Sequence, residues 1–221
     1  MASKHLSRTD VEVGGHEELH RGYFQIDRYN LKFRHFSGDW SPTLEREVIL
    51  ARDGVGVLLV DPERDEVVLI RQFRAAAYAV GDESPWLTEI VAGDIEAGET
   101  PDRAALRESR EEAGAEPTDL VHISSFYPAS GAMTGMLHLF VARVDQSAGA
   151  GVHGTAHEGE NIECFRMPVG EAIRALLDGR IRTGPAFAAL AWLSGNRAAL
   201  AERWGAGDGS GVRKHLARTP R

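Results

Sequence analysis

The sequence predicts an α+β fold, or an α/β/α layered arrangement around a mixed sheet. Two observations predict it. Short β-branched and apolar runs, such as Val55–Val60 (VGVLLV) and Val67–Phe73 (VVLIRQF), are cut off by turn residues. They are mixed in irregular order with three stretches of helical character, Thr100–Ala113, Pro168–Leu177 and Pro185–Trp204. A chain of 221 residues suits one globular domain with a sizeable core and a small N-terminal extension.

Taken in order, Arg21–Phe36 (RGYFQIDRYNLKFRHF) alternates apolar with polar residues and reads as one or two strands. Asp61–Asp65 (DPERD) reads as the connection of a hairpin between the next two runs. Thr88–Ala92 (TEIVA) is a further strand candidate running into Gly93. Thr100 then offers a capping side chain before Pro101 at the first helical position, and Gly114 supplies the stop. Leu120–Phe126 and Leu137–Val144 are strands, Gly149–Glu160 a loop and Ile162–Met167 a last strand. The expected organisation is a β-rich extension over 1–48, a main domain over 49–204 and a flexible tail over 205–221. The tail is Gly-rich and then basic, and its charge is expected to be solvating.

Bulk properties exclude several classes. The chain has 25 basic and 33 acidic residues, a net charge of -8, which does not suit non-specific nucleic-acid binding. The single cysteine, Cys164, forbids an internal disulfide or a Cys-rich zinc site. There is no apolar run of membrane-spanning length, and Met1–Arg8 lacks the apolar stretch of a secretory signal. A cytoplasmic location is expected.

The chemistry concentrates in Gly93–Ala115, GDIEAGETPDRAALRESREEAGA. On a helix Glu108 and Glu112 are i, i+4 neighbours on one face, with Glu111 beside them. Such a cluster repels itself. Arg107, i, i+4 to Glu111, offers partial compensation, and a divalent cation would offer more. Hard oxygen ligands without Cys or His suit Mg²⁺ or Mn²⁺. Taken alone, a Glu-rich helix face also fits an exposed, salt-bridged surface. His153 and His157 share one loop, with no helix to hold them together as metal ligands.

Gly93, Glu99, Arg107, Glu108, Glu111, Glu112 and Gly114 fill all seven fixed places of the Nudix box. The segment therefore resembles the Nudix hydrolase superfamily, and only Ser109 stands where an apolar residue is usual. Glu66–Tyr78, Trp86–Glu99 and Ala188–Leu193 are similar to the ADP-ribose diphosphatase branch. That resemblance implies a Nudix fold and a cytoplasmic homodimer exchanging N-terminal strands. An extension of this length is also hard to bury on so small a core without a partner. It implies Mg²⁺-dependent cleavage of ADP-ribose or a related nucleoside diphosphate sugar into a nucleoside monophosphate and a sugar phosphate.

By position, the resemblance implies that Glu108, Glu111, Glu112 and the carbonyl of Ala92 hold metal. Arg74 would contact the substrate phosphates, and Arg46 and Glu47 would lie near the adenine. Arg107 would belong to the catalytic cluster. No nucleic-acid or membrane partner is implied.

Two positions depart from that pattern. Ser130 stands at the proline used to diagnose ADP-ribose specificity, and Gly135 at the glutamate that serves as general base. Glycine takes no proton, so either Glu158, Glu160 or Glu111 substitutes for it, or the substrate and mechanism differ, or activity is weak. Gly135→Glu is expected to leave activity intact or raise it. A GDP-sugar hydrolase, or a weakly catalytic nucleotide-sugar-binding protein, remains the alternative.

Overall fold

The computed structural model describes residues 5–156 and 159–205. The tail beyond Gly205, with His157 and Glu158, lies outside the described residues. Those that are described form two compact units, residues 5–53 with 127–136, and the remainder.

In the first unit β1 (Val11–Arg21), β2 (Gln25–Phe33) and β3 (Leu44–Leu50) form an antiparallel sheet in that order. The alternation at Arg21–Phe36 located β2 but not β1. The physical reason is that β1 is exposed on both faces, so its residues carry no apolar period. β3 (LEREVIL) was missed as well. Across the sheet Glu17, Arg28 and Glu47 stand in one cross-strand row, and Arg28 lies 3.4–3.6 Å from the carboxylates of Glu17, Glu45 and Glu47.

The segment 127–136 is stitched to the end of β3. Ile49 N–H donates to Ala132 O (2.8 Å), Thr134 N–H to Ile49 O (3.1 Å) and Met136 N–H to Asp53 Oδ1 (2.8 Å). Gly135 is buried within this stitch, and a Cβ built on it would collide with the backbone carbonyl of Arg52. The expectation that Gly135→Glu is tolerated is therefore overturned, because the obstruction is backbone and cannot swing aside. Even Gly135→Ala should lower stability by roughly 1–3 kcal/mol, the usual cost of overpacking. A thermal melt of that variant checks this, and an unchanged midpoint would contradict the close approach.

The second unit holds an eight-stranded sheet. Its elements are β4 (Gly54–Asp61), β5 (Glu66–Phe73), β6 (Trp86–Glu89), β7 (Val91–Asp94), β8 (Asp119–Phe126), β9 (Leu137–Arg143), β10 (Gly151–His153) and β11 (Ile162–Pro168). The order is β10-β11-β5-β4-β9-β8, with β6 on β5 and β7 on β4. β4 and β9 run parallel and the other pairs antiparallel, so the sheet is mixed. The helices are α1 (Ala75–Ala79), α2 (Pro101–Ala113), α3 (Val169–Leu177) and α4 (Gly184–Gly205).

Both faces of the sheet are covered. Val55, Val57 and Leu59 of β4, with Val68 and Ile70 of β5, pack on the side of Ala104, Ala105 and Ala113 of α2. Leu58, Val60, Val67 and Leu69 pack on the other side, among residues of α3 and α4. Burial on two faces is why these strands read as continuous apolar runs instead of alternating. The α/β/α arrangement with a mixed sheet is what the sequence predicted.

Three local expectations change. Thr88–Ala92 is not one strand, because the chain leaves β5 for β4 at Ile90 and makes two short ones. The loop Gly149–Glu160 contains β10, too short to show a period. Thr100 occupies the N-cap of α2, but its side chain makes no capping bond. Among the described residues no helix is long and apolar enough to cross a membrane.

Candidate active site

The site is assembled on α2, with contributions from β6, β7 and the segment after β10. Pro101 opens the helix and Gly114 ends it in the left-handed region, φ 56°. Glu108 and Glu112 fall on the buried face with Ala104 and Ala105, so two carboxylates are carried inward by the packing of the alanines. Ser109 lies on that face too and is fully buried. Its hydroxyl donates to Ala105 O at 2.6 Å, which satisfies it inside the helix and explains how a polar residue fills an apolar position.

Arg107 is the hub. It donates to Glu99 (3.0 and 3.1 Å), Glu108 (2.6 Å), Glu111 (3.0 Å) and the carbonyl of Asp94 (2.9 Å). It thereby ties the loop before α2 to the helix. Its guanidinium is held more basic than usual, first by the bonds to Glu99.

Glycine is required at Gly93 in β7. A Cβ there would occupy the space of the Glu108 carboxylate. One residue earlier, Ala92 N–H donates to Glu112 Oε2 at 2.8 Å. Backbone and helix are thus at hydrogen-bond distance on either side of Gly93.

Burial dominates the electrostatics. It pushes Glu108 up to about 7 against the opposing pull of Arg107, with Glu111 and Glu160 adding repulsion. It raises Glu112 well above the usual carboxylate range, opposed by the Ala92 N–H and reinforced by Glu108 and Glu160. Glu160 therefore stands within electrostatic reach of both.

Arg74, the N-cap residue of α1, faces the same cluster. Burial opposes its charge, yet pairing with Glu89 through Nε (3.1 Å) and Nη2 (2.5 Å), aided by Glu112 and Glu160, keeps it strongly protonated. Glu89 belongs to no motif of the sequence. Its signal was a lone acid inside the apolar stretch WLTEIVAG, where a buried carboxylate needs a partner.

The expected site residues Arg74, Ala92, Arg107, Glu108, Glu111, Glu112 and Glu160 all belong to the second unit. Arg46 and Glu47 belong to the first. They are successive residues of β3 and point to opposite faces of its sheet, Glu47 toward Arg28. His153 Nε2 is engaged with Ala150 O at 2.8 Å.

A metal can be tested against this donor set. The donors are carboxylates and a carbonyl, which suit a hard divalent cation. Burial holds the pKa of Glu108 and Glu112 above the usual carboxylate range, a penalty on the charged forms that a cation would relieve. Among the described residues, however, no three such side chains already converge as a coordination sphere. Glu108 is turned onto Arg107 and Glu112 onto Ala92 N–H. The chemistry fits, and the carboxylates must turn from these partners to ligate.

A pH dependence follows. Glu108 and Glu112 have folded-state pKa values above their unfolded ones, so the folded chain binds the extra protons. Their contribution is intact below about pH 4.5 and is lost as pH rises to about 7 for Glu108, and further for Glu112. In chelator, the thermal midpoint should fall over that window. Added Mg²⁺ should raise it more at pH 8 than at pH 5.5. A melt in which Mg²⁺ acts equally at both values would contradict this.

The NUDIX domain model matches residues 50–190. The chain belongs to the Nudix family. It is 36% identical over 203 residues to an ADP-ribose pyrophosphatase of Haemophilus influenzae, covering 91% of this chain and 94% of that one. It is 34% identical over 149 residues to a GDP-mannose pyrophosphatase of Citrobacter koseri, covering 67% and 77%. A solved ADP compounds hydrolase superposes with a TM-score of 0.64 at 22% identity, covering 87% of this chain and 98% of that one, which is a likeness of fold. The Nudix box of this chain runs from Gly93 of β7 through the loop carrying Glu99 to α2 and Gly114.

Proposed function

We propose that this Nudix hydrolase cleaves the diphosphate of a nucleoside diphosphate sugar, with ADP-ribose the first candidate, to a nucleoside monophosphate and a sugar phosphate. The observation that carries the reading is the buried pair Glu108 and Glu112 on α2, facing Ala92 and Arg74. Glu108, Glu111, Glu112 and the Ala92 carbonyl would hold Mg²⁺ or Mn²⁺. When bound, the cation neutralises diphosphate charge and acidifies water.

The chain's own residues divide the remaining work. Arg74 presents to phosphate the edge that Glu89 leaves open, and its planar, permanently charged group suits that task. Glu89 fixes its direction. Arg107 keeps the Glu-rich turn aligned and shares charge with Glu108 and Glu111. Glu160 is the proton acceptor, since Gly135 offers none and backbone closes that position to a larger side chain. Arg46 and Glu47 are proposed near the base.

A GDP-sugar is the second reading, favoured by Ser130 and Gly135 at positions where the ADP-ribose pattern is broken. A homodimer through the β-rich extension is also proposed. Val13, Tyr23 and Phe36 are exposed there, and a second copy would take them out of water.

The test is incubation with Mg²⁺ and a panel of nucleoside diphosphate sugars, with the released monophosphate quantified. AMP from ADP-ribose is expected. GMP from a GDP-sugar in its place would select the second reading. Binding without release would overturn the enzymatic reading.

A further inference from the structure

A second cluster of reactive side chains stands away from α2, on β8 and β9. His122 Nε2 lies 2.9 Å from Ser125 Oγ, and His138 Nδ1 lies 2.8 Å from the same oxygen. A regular strand would not bring His122 and Ser125 together, because residues three apart point to opposite faces. The register of β8 shifts between His122 and Ser124, and this bulge returns Ser125 to the face of His122. His138 pairs directly with Ser125 across the sheet, and the His122 ring packs edge-on against Phe140 with 5.2 Å between centroids. Ser125, His138, Val55 and Gly93 stand in one cross-strand row. Three strand spacings put Ser125 about 14 Å from Gly93, too far for the Glu108 carboxylate over that glycine to act on it.

The proton count sets the direction of the two bonds. A serine hydroxyl has one proton, so one imidazole accepts it and the other donates. The His122 ring also bonds the backbone of Ser124, in a sense that favours its protonated form, so it donates there. A neutral ring that donates by one nitrogen accepts by the other, which leaves Nε2 to take the Ser125 proton. Burial, then His138, hold this ring below its usual pKa, so it is a neutral base at pH 7. His138 Nδ1–H is then the donor to Oγ and stabilises negative charge as it develops there. From this geometry we propose that Ser125 is a nucleophile separate from the carboxylate cluster, with His122 as its general base, and that it accepts a phosphoryl group from a donor carrying a good leaving group. In that step Oγ bonds to phosphorus, its proton passes to His122 Nε2, and the bond to the leaving group breaks with its electron pair going to that group. The imidazolium formed on His122 and the N–H of His138 then flank the new bond, which suits an anionic phosphoryl group. His122 is exposed and Ser125 half-buried, so a small donor can approach the oxygen.

The experiment uses a small alkyl fluorophosphonate, from which fluoride is the leaving group, and follows the full chain by mass spectrometry with peptide mapping. The wild-type chain should take up a single label, on Ser125, and Ser125→Ala should take up none. His122→Phe keeps a ring against Phe140 and removes the base, and labelling should slow about 10²-fold, the lower end of what a general base contributes. His138→Leu should slow it about 10-fold, the scale of one hydrogen bond to developing charge. Circular dichroism checks that both histidine variants fold. Mapping of the wild-type chain decides the site even where a variant fails to fold. Ser125 labelled at the wild-type rate in His122→Phe would overturn the role of His122. An unlabelled wild-type chain, or label spread over other serines, would overturn the proposal.

Discussion

Replacing Glu112 with Gln should lower the rate of nucleoside monophosphate release by at least about 10²-fold, the scale seen when charge stabilisation at a reacting centre is removed. The substitution is nearly isosteric, so it asks about charge and not shape. Glu112 is 1% exposed, accepts Ala92 N–H and lies where burial already disfavours its ionised form. The same replacement should therefore raise the thermal midpoint of the metal-free protein at pH 8, because a buried charge has been deleted. Loss of rate with gain of stability is the signature of a group kept for function at a cost to the fold. A variant with near wild-type turnover would refute the assignment. One with lower stability and lower rate would indicate a structural role.

The second large effect is expected at Gly93. Alanine there puts a methyl group where the Glu108 carboxylate lies, on a strand paired with β4 at Val55. The strand is fixed on its other edge, so the carboxylate must yield. Glu108 would then leave both Arg107 and the cation position. Activity should fall about 10²-fold or more, comparable to direct removal of a ligand. The protein should remain folded, since the displaced group is a side-chain end and not backbone. Circular dichroism together with the monophosphate assay separates the outcomes. A fully active Gly93→Ala enzyme would show that Glu108 need not stand where it does.

Much of this site was legible because its chemistry demands residue types at fixed intervals. Glu108 and Glu112 on one face, with Arg107 one residue before, are constraints that a helix imposes directly on the sequence, whereas the need for glycine at position 93 appears only when the Glu108 carboxylate is seen against it. The buried strands were legible for a similar reason, being apolar throughout. What escaped was set by tertiary contact. β1 has no apolar period because neither of its faces is covered. Glu89 stands out in the sequence only as a lone acid in an apolar stretch, and its partner Arg74 is brought to it by the fold. Gly135 was read as a missing glutamate, whereas the nearby Arg52 carbonyl makes glycine the residue that fits.

The central claim is that the carboxylates of α2 hold a divalent cation, and Mn²⁺ binding followed by electron paramagnetic resonance tests it without reference to substrate. The wild-type protein should take up Mn²⁺ with an affinity that strengthens as pH rises past about 7, where Glu108 loses its proton. The combined Glu108→Gln and Glu112→Gln variant should leave the ion free in solution under the same conditions. Equal uptake by the two proteins would contradict the account.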